Sequence, residues 1–190
     1  MHADIHMFRY NPLNNFIYSA NDGGLYVSTD VGQNWTDISD GLQITQMYSL
    51  GVSQTVQDMV ITGCQDNGTF LKNQTNWDPV IGGDGMECII DYTNSNIMYG
   101  ALYYGDIRKS TNGGNSFSSI GPASNGAWET PYVIDRNDHE TLYAGYTELY
   151  KTTNGGQNWS TITNNVTNGG KIDEIGLAKS DQDVIYFSDG

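Results

Sequence analysis

The chain has 190 residues, including 23 glycines and 13 tyrosines, and its 22 acidic and 8 basic side chains give a formal charge of −14. This negative charge repels a nucleic-acid backbone and an anionic membrane, so we expect no nucleic-acid partner. No stretch approaches the roughly 18 to 20 apolar residues that cross a bilayer, so we expect no membrane insertion either. Long stretches are dense in Asn, Thr, Ser, Gly and Asp, which favour turns and strand edges over helices. The composition therefore predicts an all-β protein.

An octet of similar residues recurs along the chain at positions 28–35, 110–117 and 152–159. The second and third copies are 42 residues apart, and the first and second are 82 apart, about twice as far. A degenerate copy is therefore predicted midway, and Trp77 lies there. A period near 40 to 45 residues, filled with four short β-rich runs, is typical of one blade of a β-propeller. The period predicts blades at about 1–40, 41–83, 84–122, 123–165 and 166–190.

The strands of a blade are labelled A to D in chain order, and the third blade illustrates the prediction. Its strands are expected at Met86–Asp91, Ile97–Ala101, Asp106–Ser110 and Phe117–Ile120. The fifth blade supplies A, around 172–178, and B, around 184–188, before the sequence stops. We therefore expect a β-propeller of four-stranded antiparallel blades, four complete and half of a fifth, as a fragment of a larger propeller. Missing blades or a partner chain are expected to cover its open edges.

Histidines and a carboxylate alternate near the start of the chain. If His2, Asp4 and His6 lie on the inner strand of the first blade, they project to one side and could hold a divalent cation, the one cofactor that the sequence suggests. The alternative is a polar lining of the channel. Cys64 and Cys88 lie in neighbouring repeats, where one disulfide or two buried free thiols are both compatible with the sequence.

The connections that meet at the mouth of a propeller channel, B to C and D to A, concentrate aromatic and acidic residues on one face. Sugars stack on aromatic rings while carboxylates accept hydrogen bonds from their hydroxyls, so these loops are candidate ligand-binding sites. The alternative is that the aromatic residues pack one blade against the next. The candidate ligand-binding residues are Asp66, Glu87, Tyr103, Tyr104, Trp128, Glu129 and Tyr146.

The octet pattern Ser/Thr-x-Asp/Asn-x-Gly-x-x-Trp/Phe closely resembles the Asp-box, or BNR repeat, of sialidases, sortilin-type receptors and two-propeller xyloglucanases. The resemblance implies that the octet lies in the C–D hairpin, on the rim opposite the ligand face, and that its residues are structural. It also implies an extracellular or cell-surface protein. The residues predicted to have this structural role are Ser28, Asp30, Gly32, Trp35, Ser110, Asn112, Gly114, Phe117, Thr152, Asn154, Gly156 and Trp159.

Two activities within these families can be compared with the sequence. In the xyloglucanases the base aspartate precedes Gly-Gly and Tyr in a B–C loop, as Asp22 does here, so the resemblance makes Asp22 a candidate base. An inverting glycosidase also needs an acid, for which Asp84 or Asp66 can be proposed although no motif selects either. Sialidases need three substrate-clamping arginines; we interpret Arg108 as a surface strand residue, which argues against that activity.

Three hypotheses follow from the sequence. The leading one is a secreted or cell-surface module that binds a polysaccharide or a peptide segment through the loops at the channel mouth. The second is a fragment of a xyloglucanase-like, inverting glycoside hydrolase. The third is a structural or assembly propeller without a small ligand.

Overall fold

The computed structural model describes residues 2–42, 45–122, 125–181 and 183–189. Within them, regular structure is almost entirely antiparallel β-strand, with one 3₁₀ turn at Tyr103–Gly105. The strands form four four-stranded sheets and one two-stranded sheet, and each four-stranded sheet is built from strands consecutive in sequence. The predicted all-β class with four-stranded antiparallel blades is confirmed. No helix in the described ranges combines the length and the apolar character of a membrane-spanning segment.

The chain divides into two compact units, Met1–Gln46 and Met47–Gly190. The first unit contains one sheet in the order β1-β2-β3-β4, with a register shift between Ile5 and Met7. Its strands are β1 (Ile5–Asn11), β2 (Phe16–Asn21), β3 (Gly24–Ser28) and β4 (Thr36–Asp37).

The remaining sheets, which belong to the second unit apart from the first residue of β5, repeat the same meander. The second sheet contains β5 (Gln46–Val52), β6 (Met59–Gln65), β7 (Gly68–Asn73) and β8 (Asn76–Ile81). The third contains β9 (Gly85–Ile90), β10 (Met98–Leu102), β11 (Asp106–Ser110) and β12 (Ser118–Ser119). The fourth contains β13 (Tyr132–Ile134), β14 (Leu142–Gly145), β15 (Leu149–Thr152) and β16 (Ser160–Thr161). The two-stranded sheet pairs β17 (Ile172–Leu177) with β18 (Ile185–Asp189).

A short polar side chain caps the turn after the first strand in each four-stranded sheet. Asn11, Ser53, Asp91 and Asp135 each accept a hydrogen bond from the backbone N–H two residues further on, at 2.7 to 3.2 Å. Such a side chain replaces a backbone partner within the turn and fixes its geometry. This repeated cap was not predicted from the sequence, because three different residue types fill the position.

The core of the second unit lies between successive sheets. Met59, Ile61, Cys88 and Met98 belong to one buried cluster that joins the second and third sheets. A second cluster joins the third and fourth sheets, and a third joins the fourth to β17–β18. Burial of these side chains against one another is the main favourable term that holds consecutive sheets together.

Two backbones approach closely where β6 of the second sheet meets β9 of the third. Gly63 leaves no space for a side chain, since a Cβ built there would lie 1.9 Å from the carbonyl oxygen of Met86. A Cβ on Gly85 would lie 2.5 Å from the carbonyl oxygen of Gly68. Glycine at these positions allows the two sheets to approach to backbone contact.

Each octet forms a self-contained hydrogen-bonded turn between the third and fourth strands of its sheet. In the second copy Ser110 Oγ donates to Asn112 Oδ1 at 2.9 Å and accepts the N–H of Gly114 at 3.0 Å, and Asn112 Oδ1 accepts the N–H of Ser116 at 3.0 Å. The same three bonds recur in the first and third copies. The geometry supports the predicted structural role, and an Asn or Asp side chain makes the same turn.

The aromatic ends of the octets cover the core or its neighbours. Phe117 packs against the cluster between the second and third sheets, and Trp159 packs against the next cluster. Trp159 Nε1 also donates to the carbonyl oxygen of Ile120 at 2.7 Å, which joins the fourth sheet to the third. In the first unit Trp35 lies against Phe8, with ring centroids 5.7 Å apart.

The first octet has one strained position. Val31 adopts φ +60°, where the second and third octets have Gly113 and Gly155. A β-branched residue in the left-handed region is disfavoured by its Cβ, at a cost of about 1 to 2 kcal/mol, part of which is offset by the greater entropy that glycine has in the unfolded chain. We expect Val31→Gly to raise the free energy of unfolding by about 1 kcal/mol in urea titrations. Gln33→Gly, at another exposed octet position, is the control and should not stabilise; an equal gain from both would contradict this explanation.

Candidate functional site

Three aromatic side chains form an exposed cluster on the second unit, which we call the aromatic platform: Tyr103, Tyr104 and Trp128. The rings of Tyr103 and Trp128 stack in parallel, with centroids 5.3 Å apart and an interplanar angle of 8°. Tyr104 meets both rings edge-on, at 5.5 Å from each. The three side chains are 41%, 47% and 41% exposed, which is unusual for large aromatic residues in contact with one another. These residues were predicted from the loops, and the structure brings them together.

The backbone around the platform is held in a costly conformation. Tyr104 has φ +59°, in the left-handed region. Its N–H donates to the carbonyl oxygen of Trp128 at 3.2 Å, and its own carbonyl accepts the N–H of Gly126 at 3.0 Å. Strained backbone that neighbouring bonds hold in place is concentrated at ligand sites. The two hydrogen bonds of Tyr104 join the turn after β10 to the loop before β13.

Two side chains that sequence reasoning missed support the platform. Lys171 Nζ lies 5.7 Å from the centroid of the Tyr104 ring and donates to the carbonyl oxygen of Gly126 at 2.7 Å. Tyr48 accepts a hydrogen bond from Trp128 Nε1 at 3.4 Å and donates to Gln65 Oε1 at 2.8 Å. Lys171 and Tyr48 each lie near a loop that the repeat pattern predicts at the channel mouth. That position in the repeat was the sequence signal that could have identified them.

Tyr146 was predicted as a ligand-binding residue, and the structure corrects that prediction. Its side chain is 1% exposed, in the cluster between the third and fourth sheets. Its hydroxyl donates to the carbonyl oxygen of Gly105 at 2.5 Å. A Cβ on Gly105 would lie 2.4 Å from the Tyr146 ring, so the glycine is what admits the ring. For Tyr146 the packing alternative holds, and its ring lies beneath the turn that carries Tyr103 and Tyr104.

A cleft of about 330 Å³ adjoins the platform. Tyr103 and Tyr104 line it together with Asp106, Ser119 and Asn125. Arg108 donates to Asp106 Oδ2 through Nε at 2.9 Å and Nη2 at 2.7 Å, while Ser119 Oγ donates to Asp106 Oδ1 at 2.8 Å. Desolvation by burial acts to raise the pKa of Asp106, but Arg108 and Ser119 outweigh it and lower the pKa below its ordinary value. Arg108 is a strand residue of β11 with a side chain 35% exposed, as we interpreted it from the sequence, and it pairs with a carboxylate that lines the cleft.

Three carboxylates influence one another beside a second cavity of about 410 Å³, which β9, β13 and β17 line. Glu87 and Glu174 line this cavity, and Glu129 lies in the loop before β13. Desolvation raises the pKa of Glu87, with contributions from Glu129 and Glu174 and against a hydrogen bond from Ser49. Desolvation and Glu174 also raise the pKa of Glu129. Glu87 and Glu129 thus share an acidic environment, as the loop analysis predicted.

The raised pKa of Glu87 predicts a pH-dependent variant. A carboxyl whose folded pKa is raised contributes its full stability below its ordinary pKa of 4.5 and loses it as pH rises through the raised value. Glutamine carries no charge but keeps an oxygen for the Ser49 hydroxyl. We therefore expect Glu87→Gln to raise the melting temperature at about pH 7, and the difference from wild type to vanish near pH 4.

The control for that measurement is Asp173→Asn, a carboxylate removed from an exposed position on β17. It should leave the melting temperature nearly unchanged at both pH values. A Glu87→Gln variant that melts below wild type at neutral pH would contradict the prediction.

Asp84, in the connection between β8 and β9, holds the turn of the β6–β7 hairpin. Asp84 Oδ1 accepts the backbone N–H of Asp66 at 2.7 Å, and Asp66 adopts φ +60° in the β6–β7 turn. Asp84 therefore stabilises a left-handed turn residue. The predicted ligand or acid roles of these two residues stay predictions.

The first unit carries the predicted metal residues and the candidate base. β1 begins at Ile5, and Asp4 has φ +53°, so His2, Asp4 and His6 do not alternate along one strand as predicted. The left-handed residue before the strand interrupts the alternation. His6 Nε2 contacts Asp22 Oδ1, and a Cβ on Gly23 would meet the His2 side chain at 2.5 Å, so both histidines lie at the β2–β3 turn. A metal site formed by the three predicted residues stays a prediction.

Cys64 and Cys88 are both buried free thiols, which selects the second of the two alternatives. Burial raises the pKa of both thiols. Because the thiolate is the reactive form, neither cysteine has the properties of a nucleophile.

No protein-family model and no curated protein matches the sequence. Among solved structures, a crystal structure of an ancestral GH74 enzyme matches with a TM-score of 0.64 and 22% identity, over 99% of this chain and 28% of the enzyme. The fold is that of a β-propeller.

Two further GH74 structures support this assignment. The GH74 xyloglucanase from Xanthomonas campestris matches with a TM-score of 0.61 and 12% identity, over 100% of this propeller chain and 34% of the enzyme. The GH74 enzyme from Niastella koreensis matches with a TM-score of 0.50 and 23% identity, over 86% and 25%. The chain thus spans about a quarter to a third of these three enzymes, and the likeness establishes the propeller fold and its four-stranded blades.

Proposed function

We propose that this propeller is a glycan-binding module and that the aromatic platform is its contact surface. The observation that supports this most is the parallel stack of Tyr103 on Trp128, in which each side chain is 41% exposed. A ring pair of that kind packs its apolar area partly against itself and leaves the rest to solvent. Sugars cover such surfaces with their C–H faces, and the exposed area of large aromatic side chains contributes strongly to binding.

The surroundings of the platform add the hydrogen-bonding groups that a sugar needs. Asp106, Ser119 and Asn125 line the adjoining cleft, and the Glu129 carboxylate follows Trp128 in the chain. Convergent polar groups beside an apolar surface give orientation and specificity to small-ligand sites. The rigid backbone pairing of Tyr104 with Gly126 and Trp128 keeps the rings in place before a ligand arrives, which reduces the entropic cost of binding.

The likeness to GH74 enzymes guides the choice of probe. One of the similar structures is a xyloglucanase, at 12% identity. We therefore select xyloglucan oligosaccharides and cellohexaose as the first probes, with mannohexaose and xylohexaose to cover other neutral glycans.

The test compares two exposed tryptophans. Trp128, in the platform, is 41% exposed, and Trp77, on β8, is 45% exposed. We expect Trp128→Ala to weaken binding of the best probe about tenfold in isothermal titration calorimetry, since about 1.4 kcal/mol of contact is lost. Trp77→Ala should bind like wild type. Equal affinities of the two variants, or no binding of any probe by wild type, would overturn the proposal.

The second candidate function is glycoside hydrolysis. It is favoured by the raised pKa of Glu87, because a carboxyl that stays protonated at higher pH can act as a general acid. Asp22, in the first unit, remains a candidate base by resemblance and is tested separately with Asp22→Asn. Release of reducing ends from the same probes that is lost in Glu87→Gln would establish hydrolysis at the second unit; binding without such release supports the binding module.

We also propose an extracellular or cell-surface location. The resemblance of the octets to the Asp-box of secreted propellers supports it, and fractionation of the source cells with an antibody to the chain tests it. A peptide ligand or a purely structural role would be supported instead if the platform bound no glycan. No nucleic acid is proposed as a partner of a chain with charge −14.

A further inference from the structure

The cleft beside the platform is lined by Asp106, whose carboxylate belongs to a charged network that the proposed binding by stacking does not require. Asp106 and Arg108 stand two residues apart on β11, and Ser119 pairs with the carboxylate from β12. Both Arg108 contacts are made to Oδ2, and the Ser119 contact is made to Oδ1. The side chains of Asp106 and Arg108 are about one third exposed, at 34% and 35%. A charge pair on a strand surface gains little stability while it remains this exposed.

The network leaves a hydrogen-bond acceptor in the cleft. A carboxylate accepts hydrogen bonds through about four lone-pair directions. Arg108 uses Nε and Nη2 toward Asp106. A sugar hydroxyl in the cleft can donate to a lone pair of the Asp106 carboxylate that Arg108 and Ser119 leave free.

The cleft also selects the charge of its ligand. The positive charge of Arg108 is offset by Asp106, and the chain as a whole carries −14, so the field of the whole protein disfavours an anionic sugar. A cationic sugar would meet Lys171, which already lies over the outer ring of the platform at Tyr104. A neutral ring avoids both repulsions.

We infer that the cleft formed by Tyr103, Tyr104, Asp106, Ser119 and Asn125 is a subsite for one neutral pyranose, one of whose hydroxyls binds the Asp106 carboxylate. This inference rests on the proposed glycan-binding function and adds the residues that decide which sugar is bound. The volume of about 330 Å³ is at the lower end of the range for small-molecule sites, which suits a single ring better than an extended chain. Asp106 acts here as a specificity residue that contacts the ligand directly, and Arg108, which does not line the cleft, positions its carboxylate.

The first experiment measures affinity for cellohexaose, or for whichever neutral probe wild type binds best, by calorimetry. Asp106→Asn removes the charge with little change in shape, and Arg108→Gln removes the donors. Each should weaken binding about tenfold or more, as expected when hydrogen bonds to charged groups are lost. Arg136→Gln, an exposed arginine that lines the second cavity, is the matched control and should bind like wild type.

The second experiment tests whether Asp106 distinguishes sugars by their hydroxyl groups. Methyl β-glucoside and its 2-deoxy and 3-deoxy analogues compete with the probe, and the tryptophan fluorescence of the platform reports displacement. Wild type should prefer the parent glucoside over at least one analogue about fivefold, and Asp106→Asn should bind the parent and that analogue equally, as a double-mutant cycle between residue and hydroxyl requires.

The outcomes separate this inference from the proposed function. Loss of hydroxyl discrimination in Asp106→Asn, in a variant that melts like wild type, supports the subsite. If both variants bind like wild type while Trp128→Ala does not, the subsite is overturned and the platform stands. Weaker binding with unchanged discrimination also overturns it, since a merely structural role would do that. If wild type binds no glycan, both proposals fail.

Discussion

Replacing Tyr146 by alanine is expected to lower the free energy of unfolding by about 4 kcal/mol, the largest effect that we predict for a single side chain. The ring is 1% exposed and packs in the cluster between the third and fourth sheets. Its removal leaves a cavity among side chains that belong to two sheets, so they cannot collapse onto it without separating from their own strands. Urea titration followed by near-ultraviolet circular dichroism measures the change.

Tyr146→Phe separates the two contributions of that side chain. It keeps the ring and removes the hydroxyl that donates to the carbonyl oxygen of Gly105. We expect a loss of about 1 to 2 kcal/mol, because a buried carbonyl is left without a partner. Since Gly105 ends the turn that carries Tyr103 and Tyr104, this variant should also weaken glycan binding by the platform. A phenylalanine variant as unstable as the alanine variant would show that packing is not the main term.

Replacing Gly63 by alanine is expected to destabilise the second unit by about 3 kcal/mol. The added methyl group would lie 1.9 Å from the carbonyl oxygen of Met86, and this neighbour is backbone that cannot rotate away. The second and third sheets must then separate, which also loosens the apolar cluster that contains Ile61 and Cys88. The change is measured as a fall in the urea midpoint.

Gly176 provides the matched control for Gly63. It also lies in a strand, β17, but a Cβ built there meets nothing within 4 Å. Gly176→Ala should shift the free energy of unfolding by no more than about 0.5 kcal/mol. Similar effects of the two alanine substitutions would refute the argument from close approach.

Sequence periodicity predicted the sheets well where hydrogen bonding repeats. The third strand of the third sheet, Asp106–Ser110, has the predicted bounds, and β9 and β10 differ from their predicted bounds by one residue at each end. The fourth strand was predicted as Phe117–Ile120, yet β12 covers Ser118–Ser119 alone. Pairing nevertheless continues past β12, since the N–H of Ile120 donates to the carbonyl oxygen of Ile107 at 2.8 Å.

The candidate site was predicted less completely, for reasons visible at two tyrosines. Tyr104 and Tyr146 both lie in the connection between the second and third strands of a sheet, and the sequence places them alike. The structure exposes the first and buries the second, because Gly105 of the third sheet admits the ring of Tyr146. That contact joins residues 41 positions apart and has no local signature. The supporting roles of Lys171 and Tyr48 also depend on contacts between residues far apart in the sequence, 45 positions for Lys171 with Gly126 and 80 for Tyr48 with Trp128.

The missing octet of the second sheet has a consequence for how this protein behaves at high concentration. The octet-bearing sheets end in outer strands of two residues, β4, β12 and β16, whereas a tight turn at Gln74 leads into the six-residue β8. A longer outer strand presents more unpaired N–H and carbonyl groups to another chain. Pro79 removes one donor from it, and Asp78 adds a charge, both of which disfavour pairing with a foreign strand. If Asp78 and Pro79 are both replaced, self-association is therefore expected to begin at β8 of the second sheet.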